Sequence, residues 1–248
     1  MKTLNVKINQ TMPDMLILGD IHGNLAAFDA AIDYANQNDL HIFSLGDVIN
    51  YGTQSAEVFI KVKDLVDSGK MSMVAGNHEY KIYRHLNAIM TTGKSNVNIE
   101  SKHVSTLDGF RRLGIDLRDY VDFAAKIPNI QVFRDLNNIT HVFTHAAIHR
   151  AFWRSLNGDT LNMGDNKIIL AYSYFGQTMK DQYDDCGRPL RIYDWVNHIP
   201  ADTKVYVGHD IVDQVTVHDG KMVQMDTGSS KGGFLSGMCT KTNQILTF

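Results

Sequence analysis

Residues 15–24 read Met-Leu-Ile-Leu-Gly-Asp-Ile-His-Gly-Asn, an apolar run of strand length that stops at a glycine and continues into polar side chains. The same order recurs at residues 42–47, Ile-Phe-Ser-Leu-Gly-Asp, and at residues 71–79, Met-Ser-Met-Val-Ala-Gly-Asn-His-Glu. Short apolar runs that end at glycine are typical of buried strands. We therefore predict three strands, each followed directly by chemically capable residues.

Helical patterns separate these three runs. Apolar residues recur at helical spacing from Leu25 to Ala35, after a candidate N-cap at Asn24, and again from Val58 to Val66. The three Gly-Asp or Gly-Asn turns lie 27 and 30 residues apart, close to the roughly 30-residue length of a βαβ unit. This spacing predicts three parallel strands joined by two crossover helices.

The rest of the chain alternates between helical and strand patterns. Residues 80–127 read mostly as helix, with segments that end before Gly114 and before Pro128. Further elements are predicted as strands at residues 141–144, 205–207, 222–225 and 245–248, and as a helix at residues 191–197. No linker, charge block or fixed-period repeat divides the sequence. We expect a single domain over residues 1–248, with the helices of residues 80–127 as a candidate cap.

The composition is that of an average globular protein, with 248 residues, 44% hydrophobic, 21% charged and a net charge of −3. A net negative charge argues against extended duplex nucleic acid as a partner. The sequence has no apolar run of membrane-spanning length and no signal-peptide pattern at its start. Two cysteines, Cys186 and Cys239, are too few for a disulfide framework. We therefore expect a soluble cytoplasmic protein without a membrane partner.

Five predicted strand ends carry side chains that can bind a metal ion. They are Asp20 with His22, Asp47, Asn77 with His78, His145, and His209. Because parallel strands bring their carboxyl ends to one edge of a sheet, these side chains are expected to meet. Carboxylate, imidazole and amide ligands without thiolates suit a divalent ion such as Mn²⁺, Fe²⁺ or Zn²⁺ and argue against a structural zinc site.

The same residues resemble the calcineurin-like metallophosphoesterases, and in particular their phosphoprotein-phosphatase branch. The family's signature is matched by residues 19–23 (GDIHG), 46–52 (GDVINYG) and 76–79 (GNHE), by His145 and by Gly208-His209. The resemblance implies an α/β fold, a four-layer α/β/β/α sandwich with two mixed sheets. It also implies a hydrolase that acts on phosphate esters through two divalent metal ions, with Mn²⁺ favoured and Fe²⁺ or Zn²⁺ as alternatives.

The resemblance further implies six metal ligands and one catalytic acid. Asp20 and His22 match ligands of the first metal, Asp47 the carboxylate that bridges both, Asn77, His145 and His209 ligands of the second metal, and His78 the general acid. A pair of divalent ions can activate water, polarise a phosphoryl group and support in-line displacement, which agrees with these roles.

A second likeness concerns the substrate. Residues 174–178, 185–195 and 225–228 are similar to the phosphatase module of bacterial polynucleotide kinase-phosphatases, which acts on RNA ends. This likeness favours a phosphorylated small molecule, such as a nucleotide, or a nucleic-acid terminus as the partner. A serine/threonine protein phosphatase and a catalytically weak metal-bound binding protein are the alternatives.

The chain departs from the family at Asn50-Tyr51, where most relatives have Asp-Arg. Asn50 can hydrogen-bond to His78, and we assign it to the catalytic set, but it cannot stabilise an imidazolium by charge. Poor alkoxide leaving groups depend on a general acid, whereas phosphates leave with little help. We therefore expect a preference for anhydrides and for activated or cyclic phosphates.

The lost arginine also removes a phosphate contact, which another cation could supply. Arg150 and Arg154, shortly after His145, and Arg84, after the His78 turn, are the candidates in the sequence. Tyr51 itself is a candidate for stacking on a nucleobase.

Overall fold

The computed structural model describes residues 4–8, 11–156, 163–185, 187 and 189–248. Its strands are β1 Val6–Ile8, β2 Met15–Leu18, β3 His41–Ser44, β4 Met71–Met73, β5 Ile130–Arg134, β6 Thr140–Thr144, β7 Thr178–Tyr183, β8 Pro189–Arg191, β9 Thr203–Val207, β10 Thr216–His218, β11 Met222–Gln224, β12 Ser236–Cys239 and β13 Gln244–Thr247. Its helices are α1 Leu25–Asn38, α2 Ser55–Asp67, α3 Asn77–Thr92, α4 Ser101–Arg112, α5 Leu117–Lys126, α6 Ala151–Leu156 and α7 Met163–Phe175, with a 3₁₀ helix at Asp194–His198.

Two mixed sheets form the body of the protein. The first sheet has the order β13-β12-β2-β3-β4, and the second has the order β1-β5-β6-β9-β11-β10. Strands β2, β3 and β4 are parallel neighbours, and α1 and α2 connect them. The prediction of three parallel strands with two crossover helices is confirmed. Strands β7 and β8 pair with each other as a separate hairpin.

Side chains of β2 alternate between two apolar clusters because successive residues of a strand point to opposite faces. Leu16 and Leu18 pack into the cluster formed with α1 and α2. Met15 and Ile17 enter a second cluster, which also holds residues of the other sheet. The two sheets therefore pack face to face, and helices α1 and α2 cover the outer face of the first sheet.

The second sheet is covered on its outer face in the same way. Ile130 and Val142 from its strands share a cluster with Phe152 of α6 and Ile169 of α7. Each sheet thus has an inner face against its partner and an outer face under helices. The predicted four-layer α/β/β/α sandwich with two mixed sheets is confirmed.

The helices of residues 80–127 pack into the core of the first sheet. On α2, the Phe59 ring lies 5.2 Å from Phe110 on α4 and 5.1 Å from Tyr120 on α5. Aromatic contacts of this kind bury large side chains and fix how helices sit against one another. This arrangement brings α4 close to the turn at residues 50–52. Among the described residues, no helix has the length and apolar character needed to cross a bilayer.

One predicted element is correct only in part. Of the helix predicted at residues 191–197, residues 194–197 lie in the 3₁₀ helix, whereas Arg191 belongs to β8, which pairs with β7. Two further elements differ in their bounds. The strand predicted to reach residue 75 ends at Met73, and Asn77 is already the first residue of α3.

Candidate metal centre

The loops at the carboxyl ends of the strands meet at one end of the sandwich, and backbone amides fix the two aspartates there. The Asp20 carboxylate accepts the His209 N–H at 3.1 Å, and the Asp47 carboxylate accepts the His78 N–H at 2.9 Å. A Cβ at Gly208 would lie 2.1 Å from Asp20 Oδ1. Only glycine therefore lets this loop approach the carboxylate so closely.

Asp47 occupies the centre of the candidate site. Its Oδ2 lies 3.3 Å from His145 Nε2, 3.8 Å from His78 Nε2 and 3.9 Å from His22 Nε2. Two groups of possible metal ligands share this carboxylate, one with His22 and His78 and the other with His145 and His209. Within each group the ligand atoms lie within 4.8 Å of one another. A shared carboxylate of this kind can bridge two cations.

Asn77 and two histidines complete the second group. Asn77 Oδ1 lies 2.9 Å from His145 Nε2 and 3.0 Å from His209 Nδ1. The two imidazole nitrogens are themselves 3.1 Å apart. Three buried or half-buried atoms with lone pairs thus converge on one point, as the ligands of a divalent cation do.

The histidine tautomers agree with a metal site. The Nδ1–H groups of His22 and His145 donate to the carbonyl oxygens of Ile49 and Leu45 at 3.0 and 2.9 Å. Such a bond leaves the lone pair on Nε2 directed into the site. Among the described residues, buried His22 Nε2 and His209 Nε2 have no hydrogen-bond partner. These orphaned nitrogens and the shared carboxylate fit divalent metal ions.

Burial and neighbouring charges shift the pKa values of the central groups in opposite directions. Burial disfavours the carboxylate of Asp47, but His145 and His78 hold its pKa well below the ordinary value. Burial and the Asp226 carboxylate raise the pKa of Asp20. Burial likewise opposes protonation of His145, yet Asp47 raises the pKa of this imidazole to about 10.

His78 is oriented by Asn50. Asn50 Nδ2 lies 2.8 Å from His78 Nδ1 and donates to it, while Asn50 Oδ1 accepts from the hydroxyl of Thr106 at 2.7 Å. A neutral His78 therefore carries its proton on Nε2, the nitrogen that faces Asp47. Burial lowers the pKa of His78 to about 3, so this imidazole is held as a neutral hydrogen-bond donor.

Glu79 holds the two central loops together, a role that was not predicted although the residue belongs to the matched GNHE motif. Its buried carboxylate accepts backbone N–H groups of Asp47 at 2.8 Å, Val48 at 3.0 Å and Gly76 at 3.0 Å. Only the charge pattern of the motif could have suggested such a role. Sequence spacing does not show which backbone amides a buried carboxylate will meet.

Of the four side chains predicted to contact substrate, Tyr51 lies against the centre. Its ring is 4.9 Å from the His22 ring and 5.2 Å from the His78 ring. The three arginines have other surroundings: Arg84 lies over the Tyr80 ring at 5.5 Å, Arg154 pairs with Asp165 at 2.7 Å, and Arg150 is exposed.

The second-half motif contributes a cation that was not predicted for the site. Arg191 Nη1 donates to the carbonyl oxygen of Phe175 at 2.6 Å, and its Nε lies 3.8 Å from Asp210 Oδ1. Asp210 directly follows His209, so this guanidinium lies beside the second ligand group. Cys186 and Arg188, which belong to the same motif, lie outside the described residues.

Known proteins resemble the chain over most of its length. A bis(5'-nucleosyl)-tetraphosphatase PrpE (asymmetrical) of Anoxybacillus flavithermus is 26% identical over 235 residues, which cover 90% of this chain and 88% of that protein. A solved structure provisionally named a diadenosine tetraphosphatase has a TM-score of 0.65 at 17% identity, with 99% of this chain and 97% of that chain covered.

A serine/threonine phosphatase of Saccharomyces cerevisiae with similarity to human PP5 has a TM-score of 0.54 at 14% identity, with 99% of this chain and 84% of that chain covered. At such identities the solved structures show the fold alone. The family model for calcineurin-like phosphoesterases matches residues 14–219. The chain therefore belongs to the calcineurin-like phosphoesterase family and is a phosphate-ester hydrolase.

Proposed function

We propose that the protein is a phosphohydrolase with two divalent metal ions that cleaves nucleotide phosphoanhydrides, with dinucleoside polyphosphates as the leading substrate class. The observation that carries the proposal is the position of Asp47, whose buried carboxylate is shared by two groups of possible metal ligands. Two-metal sites of this kind serve in-line displacement at phosphorus.

In this proposal six side chains hold the two ions, which we take to be Mn²⁺. They are Asp20 and His22 at the first ion, Asp47 at both, and Asn77, His145 and His209 at the second. When bound, the ions polarise the phosphoryl group and make a water nucleophilic at neutral pH. Backbone amides of His209 and His78 hold the two aspartates in place for this task.

His78 supplies the proton for the leaving group. Its Nε2–H faces the centre because Nδ1 accepts from Asn50. To protonate the leaving oxygen and end as a neutral imidazole, His78 must first be an imidazolium, and the neutral Asn50 amide does not stabilise that charged form. A phosphate leaving group needs little protonation, in contrast to an alkoxide. The amide at position 50 therefore supports an anhydride substrate over a phosphoserine residue.

The named relatives support the same substrate class. The PrpE protein of Anoxybacillus flavithermus carries the name of a bis(5'-nucleosyl)-tetraphosphatase and aligns along nearly its whole length. Cleavage of a dinucleoside tetraphosphate releases a nucleotide through a phosphate oxygen. Such a leaving group needs little protonation, so it suits a histidine that is paired with an amide.

A substrate panel tests the proposed class. With Mn²⁺ in excess, kcat/KM would be measured for diadenosine tetraphosphate, a nucleoside monophosphate, a 2′,3′-cyclic nucleotide and a phosphoserine peptide. We expect the tetraphosphate to exceed the others by about tenfold or more, since each lost charge-assisted contact is worth about that factor. A higher kcat/KM for the phosphopeptide would identify a protein phosphatase instead.

The role of Asp47 is tested by Asp47→Asn, which keeps the shape of the side chain and removes its charge. We expect hydrolysis of p-nitrophenyl phosphate to fall at least about a hundredfold, together with loss of bound Mn²⁺ measured by elemental analysis. Asp29→Asn is the matched control, because Asp29 pairs with Lys61 at the surface at 2.8 Å. Full activity of the Asp47 variant would refute the proposed metal centre. If the wild type binds Mn²⁺ but hydrolyses none of the substrates, the protein is a metal-bound binding protein instead.

A further inference from the structure

We propose that Lys102 and Lys231 form a two-lysine clamp that binds the leaving-group phosphates of a polyphosphate substrate, beside the position where the family carries arginine. This inference rests on the proposed function, because it concerns phosphates linked to the one that reacts. Neither lysine belongs to a motif that the sequence analysis singled out.

Both ammonium groups gather around the ring of Tyr51. Lys102 Nζ lies 4.6 Å and Lys231 Nζ 4.7 Å from the ring centroid, and Lys102 Nζ donates to the Tyr51 hydroxyl at 2.8 Å. The same ring also contacts the imidazoles of His22 and His78, with centroids 4.9 and 5.2 Å away. The clamp therefore lies one aromatic ring away from the metal centre, where the next phosphates of a chain would extend.

Lys231 is held in place by a tight turn. Ser230, with φ of 59°, and the flanking Gly228 and Gly232 are all left-handed, and the Lys231 N–H donates to the Gly228 carbonyl oxygen at 2.8 Å. The Ser229 hydroxyl donates to the carbonyl oxygen of Ile21 at 3.1 Å, next to the metal-binding pair of the first motif. The turn is thereby tied to the centre, which lowers the entropy cost of ordering its lysine on a ligand.

Lys102 is positioned by helix α4. One helical turn later, the Thr106 hydroxyl bonds to Asn50 Oδ1 at 2.7 Å, so the helix is attached to the residue next to Tyr51. Asn50 and Tyr51 both have left-handed backbones, with φ of 71° and 64°. Two consecutive non-glycine residues in this region carry conformational strain of the kind found at functional sites. The strained pair aims the Tyr51 ring between the lysines and the imidazoles.

The acidic partners of these lysines do not cancel their charge. Glu100 pairs with both Lys102, at 2.8 Å, and Lys81, at 2.6 Å. Lys231 Nζ has Asp226 Oδ2 at 3.8 Å, beyond hydrogen-bond distance. Together with Lys81, three ammonium groups share these two carboxylates, so this cluster of five side chains carries one excess positive charge. Lys102 and Lys231 are also largely covered, with 22% and 19% of their side chains exposed.

The clamp is close to the catalytic imidazole. The Tyr51 ring that contacts both lysines also contacts the His78 ring, with 5.2 Å between the ring centroids. A polyphosphate would place negative charge between these groups, where contacts between ammonium and phosphate are strong. A simple monoester would fill the metal centre without reaching both lysines.

The experiment compares a two-phosphate ligand with a one-phosphate ligand. Mn²⁺-loaded protein would be titrated calorimetrically with methylene bisphosphonate and, separately, with orthophosphate, with Mn²⁺ in fixed excess. The first variant combines Lys102→Gln with Lys231→Gln, and the second combines Lys102→Arg with Lys231→Arg. The matched control is Lys61→Gln, because Lys61 is a surface lysine that pairs with Asp29. Thermal unfolding would confirm that each variant is folded.

We expect the double glutamine variant to weaken bisphosphonate binding about tenfold or more, and orthophosphate binding less than about twofold. The double arginine variant and Lys61→Gln should stay within about twofold of the wild type for both ligands. Equal weakening for the two ligands, or no weakening, would overturn the clamp. Because the probe is not a nucleotide, this assay is independent of the proposed substrate. If the wild type cleaves no dinucleoside polyphosphate but the double glutamine variant still loses bisphosphonate binding selectively, the proposed substrate is refuted and the clamp stands.

Discussion

Asn50 connects three parts of the candidate site through one amide group. Its nitrogen donates to His78, its oxygen accepts from Thr106 on α4, and its backbone N–H donates to the Ser55 hydroxyl at 2.9 Å. An aspartate at this position would accept from the histidine and stabilise its protonated form by charge. The amide keeps the hydrogen bond to His78 but lacks the negative charge of a carboxylate. The rate of hydrolysis should therefore depend mainly on how much protonation the leaving group of a substrate needs.

Asn50→Asp is expected to raise kcat/KM for an alkyl phosphomonoester about tenfold more than for p-nitrophenyl phosphate. The added carboxylate would favour the imidazolium of His78, and proton donation matters most for the poorer leaving group. Steady-state kinetics on glycerol phosphate and p-nitrophenyl phosphate measure both effects. Asn38→Asp makes the same chemical change on the exposed side of α1 and should alter neither. Equal gains on the two substrates would show that His78 does not act through protonation of the leaving group.

The meeting of the candidate metal ligands could be predicted from the sequence, whereas the residues that support them could not. Asp20 and Asp47 follow apolar runs at turns that repeat, and the fold requires those turns to meet. Glu79 and Lys231 have no such pattern, since their partners are backbone amides and an aromatic ring that come close only after folding. The predicted roles of the ligands themselves remain predictions until a metal is measured.

At the level of elements, α4 joins the core to the site. Its inner face packs on α2, where a Cβ added at Gly109 would lie 3.0 Å from the Ala56 Cβ. Its first turns carry Lys102 and Thr106 to the turn at Asn50. The spacing between α4 and α2 therefore sets the position of side chains at the site.

Gly109→Val should reduce the free energy of unfolding by about 1–3 kcal/mol, because the branched side chain overpacks the contact with Ala56. Urea denaturation of the metal-free protein measures this loss. Ser105→Val adds the same side chain on the exposed side of α4 and should change the free energy of unfolding by less than about 0.5 kcal/mol. Similar values for the two variants would mean that α4 is not closely packed on α2.

Elements that bury apolar side chains were predictable, and exposed elements were not. Strand β2 is a continuous apolar run because both of its faces are buried, and helix α1 shows helical spacing because one of its sides meets the core. The β7–β8 hairpin is exposed on both faces of β7, so no apolar alternation marks it. The predicted helix at residues 191–197 is correct only in part for a related reason, since its residues are divided between a strand pair and a 3₁₀ helix.

On the scale of the whole molecule, the candidate metal centre joins the two sheets. Asp20 and Asp47 follow strands of the first sheet, and His145 and His209 follow strands of the second. A cation bound by Asp47, His145 and His209 would link the sheets across their shared edge. Metal binding and folding are then coupled, because the unfolded chain does not hold these groups together.

Mn²⁺ at about one hundred times its Kd should stabilise the protein by about 2.7 kcal/mol and raise the Tm by roughly 5–10 °C. Differential scanning calorimetry with and without Mn²⁺ measures the shift. Asp47→Asn should lose most of the shift, while Asp29→Asn should keep it. An equal shift in the Asp47 variant would place the bound metal elsewhere on the protein.

The order of the strands along the chain does not follow their division between the two sheets. Strand β1 belongs to the second sheet, where it pairs with β5, and β12 returns to the first sheet to pair with β2. On the ribosome, β2 is therefore made long before its antiparallel neighbour, and all strands of the second sheet except β1 are translated in between. Until β12 emerges, one edge of a fully apolar strand stays open to wrong partners. Completion of the first sheet, and of the Asp20 turn that extends from it, must wait until β12 and β13 have been translated.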